Sequence, residues 1–266
     1  MNGLLIWPVI PALIFYLIGA YLALLSLQGA RQQRKFESTV VRGLAVGLHG
    51  LTIWSAIESA DQISLGIALM LTCVSFAMAL VLLLNQLRRP MNHLDVFVFP
   101  LSGLSLLLFA VMPTTGMVRV ALPTPLFIHI ILSLLGYSIL ALAALQALYL
   151  ALFDRLARTG RTLPKGLALD SIEQMLFESI WLGMIALSLG ILTGFAFIDS
   201  YDVRGIIHHT FITITAWLIF AVLLWGRLRA GWRGSQAGWW TLAGFGILAL
   251  GYFGSKFVIE VLIPQT

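Results

Sequence analysis

"LPTPLFIHIILSLLGYSILALAALQALYLALF" occupies residues 122–153 and contains no Asp, Glu, Lys or Arg. About 20 apolar residues suffice to cross roughly 30 Å of hydrocarbon, and this stretch is longer than that. Segments of the same kind lie on both sides of it. Breaking the chain at charge and turn clusters gives eight, at about 3–27, 38–59, 63–87, 94–112, 125–153, 174–198, 205–227 and 238–263. Across all 266 residues 60% are hydrophobic and 10% charged, and the mean hydropathy is +0.98. A soluble domain carries about a quarter charged residues, so most of this chain's solvent is lipid. The reading is an all-α polytopic membrane protein, one bundle of eight transmembrane helices over residues 1–266.

Charge sets the orientation. The first apolar run is read as a span rather than a cleaved signal, because no basic residue precedes it and its charge follows, in "RQQRK" (31–35). With the N-terminus outside, the inner side receives Arg31, Arg34, Lys35, Arg42, Arg88, Arg89, Arg155, Arg158, Arg161, Lys165, Arg227, Arg229 and Arg233. These are 13 of the 16 basic residues; Arg119, Arg204 and Lys256 stay outside. That asymmetry follows the positive-inside rule and places both termini outside. It also explains a pI near 9.7 without any nucleic-acid partner. Trp225, Trp232, Trp239 and Trp240 flank the last inner loop as an aromatic belt. Cys73 is the single cysteine, so there is no internal disulfide and no CxxCH attachment of haem.

The connections are short. The longest inner one, "DRLARTGRTLPKGLALDSIEQ" (154–174), is broken by Gly160, Pro164 and Gly166; Ser171 and Gln174 have capping-box spacing, and the next helix enters lipid near Glu178. The longest outer one, "PTTGMVRVALPT" (113–124), reads as a connector or as a short amphipathic lid.

The chemistry lies in the histidines. His93 follows "RRPMN" and reads as a solvated loop residue, whereas His49, His129, His208 and His209 fall at membrane depth. Polar groups there are costly and face the bundle interior or a cavity. His129 and His208 sit at similar depth on separate helices, as two axial ligands of a flat ring would. Ser133, Gly136 and Tyr137 share the face of His129, and small side chains there admit a planar ring or another helix. In "VRGIIHHTFITITAW" (203–217), His208 and His209 point about 100° apart, so one of them at most joins that face. His49 lies near mid-bilayer with Arg42 one heptad toward the cytoplasm; it reads as a ligand or as a helix–helix hydrogen bond. Zinc and copper are poorer fits, since no Cys or carboxylate cluster completes a site. No nucleophile–base pair, P-loop or carboxylate pair marks an enzyme.

Several stretches together resemble the cytochrome c assembly family of haem-handling membrane proteins, the CcsA and CcmC type, and its smaller YpjD- and HemX-like branch. They are "RGLAVGLHG" (42–50), "FVFPLSGLSLLLFAVMP" (97–113) followed by 122–153, "SIEQMLFESIWLGMIALSLGILTGF" (171–195), and the run from Ile214 to Phe257 with its inner "GWRG" turn. The resemblance covers about residues 40–257. It implies that His49 is the early transmembrane histidine, that His129 is the first external one, and that a b-type haem is bound non-covalently. His208 falls near the family's signature loop and is the second ligand candidate, with His209 as the alternate. Arg119, Arg204 and Arg42 are candidates to meet the haem propionates.

The departures narrow the expectation. Synthase members of the family carry a Trp-rich external motif where this chain has only "DSYDVRG" (199–205), and they continue to a further external histidine where it closes on "VLIPQT". The expected protein is therefore a non-enzymatic haem binder of the bacterial inner membrane, partnered by lipid, haem and other cytochrome-assembly or membrane proteins. The alternative is a regulatory or scaffold subunit for a transporter or tetrapyrrole-pathway protein, its histidines serving packing.

Overall fold

The distribution of polar side chains along two helices shows how this chain solves the problem of lying in lipid. The structure, a computed structural model, describes residues 7–27, 35–58, 63–64, 66–85, 92–112, 119–120, 124–159, 169–195 and 203–262. On α2 (Lys35–Glu58), Arg42, His49 and Thr52 are spaced i, i+7, i+10 and all are fully buried, while Leu44, Leu51 and Trp54 face outward. On α4 (Asp95–Val111), Asp95, Ser102 and Ser105 repeat that spacing on the buried face, with Leu101, Leu104 and Leu107 outward. Helical periodicity thus turns polar groups inward and apolar ones toward lipid.

The remaining helices are α1 (Val9–Leu27), α3 (Ile67–Asn85), α5 (Thr124–Arg158), α6 (Leu169–Phe195), α7 (Val203–Ala230) and α8 (Gly234–Ala249). The chain continues from α8 through a π turn (Leu250–Gly254), the short α9 (Ser255–Phe257) and a second π turn (Val258–Leu262). Among the described residues, α1, α2, α3, α5, α6 and α7 are long and apolar enough to cross a membrane, and α4 is a shorter apolar helix. The protein is a polytopic membrane protein. Pro100 inside α4 lacks an N–H and so frees one carbonyl of the helix ladder, a cost that neighbouring helices commonly offset in membranes.

The fold forms two units, residues 1–121 and 122–264. In the first, α1 and α3 each pack against both α2 and α4. In the second, α5 and α7 each pack against both α6 and α8. Each unit is therefore a ring of four helices in which sequential neighbours touch and the last returns to the first. Within the first unit, β1 (Ile63–Ser64) pairs antiparallel with β2 (Arg119–Val120), Ile63 opposite Val120. The third span consequently starts at Ile67, because residues 63–64 are extended. Arg119 and Val120 of the 113–124 connection form β2, and residues 113–118 and 121–123 lie outside the described residues.

At the 154–174 connection both helices extend beyond the expected spans 125–153 and 174–198. α5 runs on to Arg158 and α6 starts at Leu169. Ser171 therefore lies inside the first turn of α6 and cannot cap it, and Gln174 donates instead to Glu178 Oε1 at 3.1 Å. The "GWRG" turn is bracketed by Gly231 and Gly234, whose φ values of 65° and 55° favour glycine. Glu173 of α6 braces this turn. Its Oε1 accepts from Arg227 Nη1 at 3.2 Å and Oε2 accepts from the Gly234 N–H at 3.2 Å, at the start of α8, while Arg233 Nε lies 3.4 Å away. A carboxylate at a helix N-terminus is stabilising. Glu173→Ala is expected to cost about 1.5–3 kcal/mol, the value of a hydrogen bond to a charged group, read as a lower unfolding midpoint in detergent. Of the belt tryptophans, Trp225 and Trp239 face outward. Trp232 instead stacks on Trp240 at 5.4 Å and lies over Gly226, where a Cβ would come within 2.4 Å of its ring.

Candidate functional site

The first unit carries its polar groups in layers. The first layer is the pair Arg42–Asp95, both side chains fully buried. Arg42 Nε donates to Asp95 Oδ1 at 3.0 Å and Nη2 donates to Oδ2, a two-point pairing that leaves the layer neutral. His93, in the 3₁₀ turn Asn92–Leu94, adjoins it. It is not the solvated residue expected from its loop position: burial and the Arg42 charge hold its imidazole well below the ordinary range, at about 4.

Seven residues up each helix, about 10 Å at 1.5 Å per residue, stand His49 of α2 and Ser102 of α4. Above them a hydroxyl seam joins α3 to α4. Ser75 and Ser105 share a 2.6 Å hydrogen bond, Thr72 Oγ1 donates to the Ser105 carbonyl at 3.2 Å, and Ser102 Oγ donates to the Ser75 carbonyl at 3.4 Å.

His49 is fully buried. Its Nδ1 shares a 2.8 Å hydrogen bond with the Tyr16 hydroxyl of α1. The ring is held edge-on between Tyr16 and Phe76, at centroid distances of 5.7 and 5.5 Å. Its Nε2 is buried and has no hydrogen-bond partner. The Thr72 backbone approaches the ring without completing a bond to that nitrogen. A buried polar atom left unpaired costs about 1–3 kcal/mol, so such an atom calls for an explanation. An imidazole fixed at one nitrogen and bare at the other is what a metal-ligating histidine presents.

In the second unit, His129 of α5 turns toward α6. Its Nδ1 lies 2.9 Å from the Gly190 carbonyl and 3.3 Å from Thr193 Oγ1. A carbonyl only accepts, so Nδ1 carries the proton of the neutral ring and Nε2 carries the lone pair. Small residues make this approach feasible. A Cβ on Gly194 would come within 3.0 Å of the His129 ring, one on Gly190 within 3.0 Å of Ser133 Oγ, and one on Gly136 within 3.0 Å of the Leu187 backbone. Of the two uses open to the face bearing Ser133 and Gly136, the α6 helix takes it. Tyr137 points elsewhere, donating to the Leu248 carbonyl at 3.1 Å where α8 passes into its π turn.

His208 lies five residues past the start of α7, as His129 does past the start of α5. The side chains of His208, His209, Arg204 and Arg119 lie outside the described residues. Arg42, a propionate candidate, has its guanidinium engaged by Asp95. Two residues escaped sequence reasoning. Asp95 had a signal, as an acid at the start of an apolar run one polar layer from Ser102. Tyr16 had none, because α1 is apolar throughout and shows no polar stripe.

The fold defines a polytopic membrane protein with buried, oriented imidazoles, and comparison narrows the class. The Cytochrome C assembly protein family model matches residues 37–263. The chain belongs to the cytochrome c assembly protein family. It is similar to the inner membrane protein YpjD of Escherichia coli K12, with 35% identity over 173 residues, or 63% of this chain and 64% of that protein. The match thus spans less than two thirds of that relative. An uncharacterized 28.8 kDa protein of Azospirillum brasilense is 26% identical over 83% of this chain and 84% of its own length. The cytochrome c biogenesis protein CcsA of Chlamydomonas reinhardtii is 24% identical over 73% of this chain and 54% of its own. No solved structure matches.

Proposed function

We propose that this protein binds b-type haem within the bacterial inner membrane and handles it during cytochrome c assembly, with eight spanning segments and both termini external. The observation that carries this reading is the buried, unpartnered Nε2 of His49, whose opposite nitrogen is held by Tyr16. Family membership and relatives named for cytochrome c biogenesis support it, as does the inner-membrane name of the YpjD relative.

The donor set fits haem. His49 offers Nε2 in an apolar, aromatic-walled setting, and His129 offers an Nε2 lone pair fixed by the Gly190 carbonyl. His208 is the second axial candidate beside His129, with His209 as the alternate, and Arg119 and Arg204 are the propionate candidates. Bound there, haem would supply a redox-active iron for these imidazole nitrogens to hold. The chain's own part is to hold neutral imidazoles in one orientation, to exclude water with the four-helix rings, and to keep the Arg42 charge cancelled by Asp95.

The test is the absorbance spectrum of purified protein titrated with haem, repeated for His49→Gln, His129→Gln and His208→Gln. A Soret band whose midpoint weakens at least about tenfold in the His49 variant is expected, the scale on which even outer partners of a metal ligand act. No band in the wild type, or one unchanged in all three variants, overturns the reading.

A further inference from the structure

The His49 nitrogen that faces Tyr16 raises a question that ligation alone leaves open. A neutral imidazole carries one proton, and Nε2 must give it up to present a lone pair. The proton must then sit on Nδ1, and its partner there must accept it. Most side-chain partners serve one direction only. A carboxylate or carbonyl only accepts; an ammonium only donates. The Tyr16 hydroxyl does both.

We infer that Tyr16 is the positioning residue of His49 and allows it to exchange tautomers without moving its ring. This rests on the reading of His49 as a haem ligand. With Nε2 unliganded, the Tyr16 O–H donates to Nδ1 and the ring proton stays on Nε2, toward the Thr72 backbone. With Nε2 ligating, Nδ1–H donates to Tyr16 Oη, and the phenolic proton turns away from the imidazole. An outlet for that proton exists. The Ser102 hydroxyl is the neighbouring group that acts on the phenol; in this structure it donates to the Ser75 carbonyl at 3.4 Å, and its oxygen is the acceptor to which the phenol would turn. Each arrangement keeps Nδ1 bonded in a region where both rings are nearly or fully shielded from solvent, Tyr16 at 1% and His49 at 0% exposure. Both arrangements hold the same number of protons: the ring proton passes from Nε2 to Nδ1, and the hydroxyl turns from donor to acceptor. The geometry around Tyr16 supports a fixed ring, since Phe99 packs against its other side at 5.7 Å.

This role has an electronic signature. A hydrogen bond accepted from Nδ1–H raises the donor strength of Nε2. A stronger donor favours ferric over ferrous iron and lowers the midpoint potential. Tyr16→Phe keeps the aromatic ring and removes only the acceptor.

The experiment uses the full-length protein in detergent, reconstituted with haem, and compares wild type, Tyr16→Phe, Ser102→Ala and His49→Gln. Ferric haem titrations and redox titrations are read at the band that His49→Gln removes. Tyr16→Phe should bind ferric haem about tenfold more weakly with ferrous affinity unchanged, at the lower end of outer-partner effects. That difference is an upward shift in potential of about 59 mV for a one-electron couple. Ser102→Ala should shift the potential in the same direction by less, and it reports on the relay even where Tyr16→Phe does not fold. A His49-dependent band with unchanged potential in Ser102→Ala and in any Tyr16→Phe protein that folds overturns the positioning role and leaves the haem reading standing. A wild-type protein with no His49-dependent band overturns both.

Discussion

Asp95→Asn should unfold at a clearly lower temperature than the wild type, with a loss of about 3–5 kcal/mol, the range for breaking one partner of a buried ion pair. The reason is Arg42. Its side chain has no exposure, and Asp95 engages it through both Nε and Nη2. Asparagine keeps the shape and one carbonyl oxygen but removes the negative charge that faces the buried guanidinium. Guanidinium groups do not shed their proton to escape such a setting. The same substitution weakens the tie between α2 and α4, on which His49 and Ser102 stand one layer higher. Asp95→Leu combined with Arg42→Met should recover most of the loss, because replacing both members of a buried pair by apolar residues is often neutral or better. Thermal unfolding of the two single variants and the double variant in one detergent measures the coupling. A double variant no more stable than Asp95→Asn would mean that the pair acts through something other than charge compensation.

How much of this was legible in the sequence depends on whether one helix or two were needed to see it. The polar stripe Arg42–His49–Thr52 is a property of α2 alone, and helical spacing exposes it. The destination of Arg42 is a property of two helices. Asp95 is 53 residues away, so the arginine reads equally as a group waiting for a propionate. His129 illustrates the same limit. Its neighbours Ser133 and Gly136 announce a face that something approaches closely, but glycine admits a ring or a helix alike. The complementary half was present in α6, where Gly183, Gly190 and Gly194 repeat at intervals of seven and four. Reading both halves together favours the helix, with His129 set against Gly194. Helix ends were missed where propensity, rather than hydropathy, carries the chain past the apolar run, as in α5 to Arg158. The partner of His49 was the least legible feature. Tyr16 lies among apolar residues of α1, and nothing in its own segment distinguishes it from the exposed Tyr21.

Gly19→Ala is expected to be the most disruptive single-methyl change in the first unit. A Cβ there would fall 2.0 Å from Phe99 Cε2 and 2.2 Å from Cδ2, distances no real contact sustains. Inserting extra atoms into a filled core typically costs about 1–3 kcal/mol, and the upper end applies because neither neighbour has room to yield. Phe99 is 2% exposed, and its ring already meets Tyr16 edge to face. Displacing it presses on the phenol that holds His49, or else parts α1 from α4. The substitution should therefore lower the unfolding midpoint and weaken haem binding at His49 together, unlike Tyr16→Phe, which changes binding with little change in packing. Phe99→Leu in the Gly19→Ala background removes the ring carbons that collide and should restore part of the stability. A Gly19→Ala protein with wild-type unfolding and wild-type haem titration would show that α1 and α4 do not approach this closely. The placement of Tyr16 against His49, which depends on that approach, would then have to be abandoned.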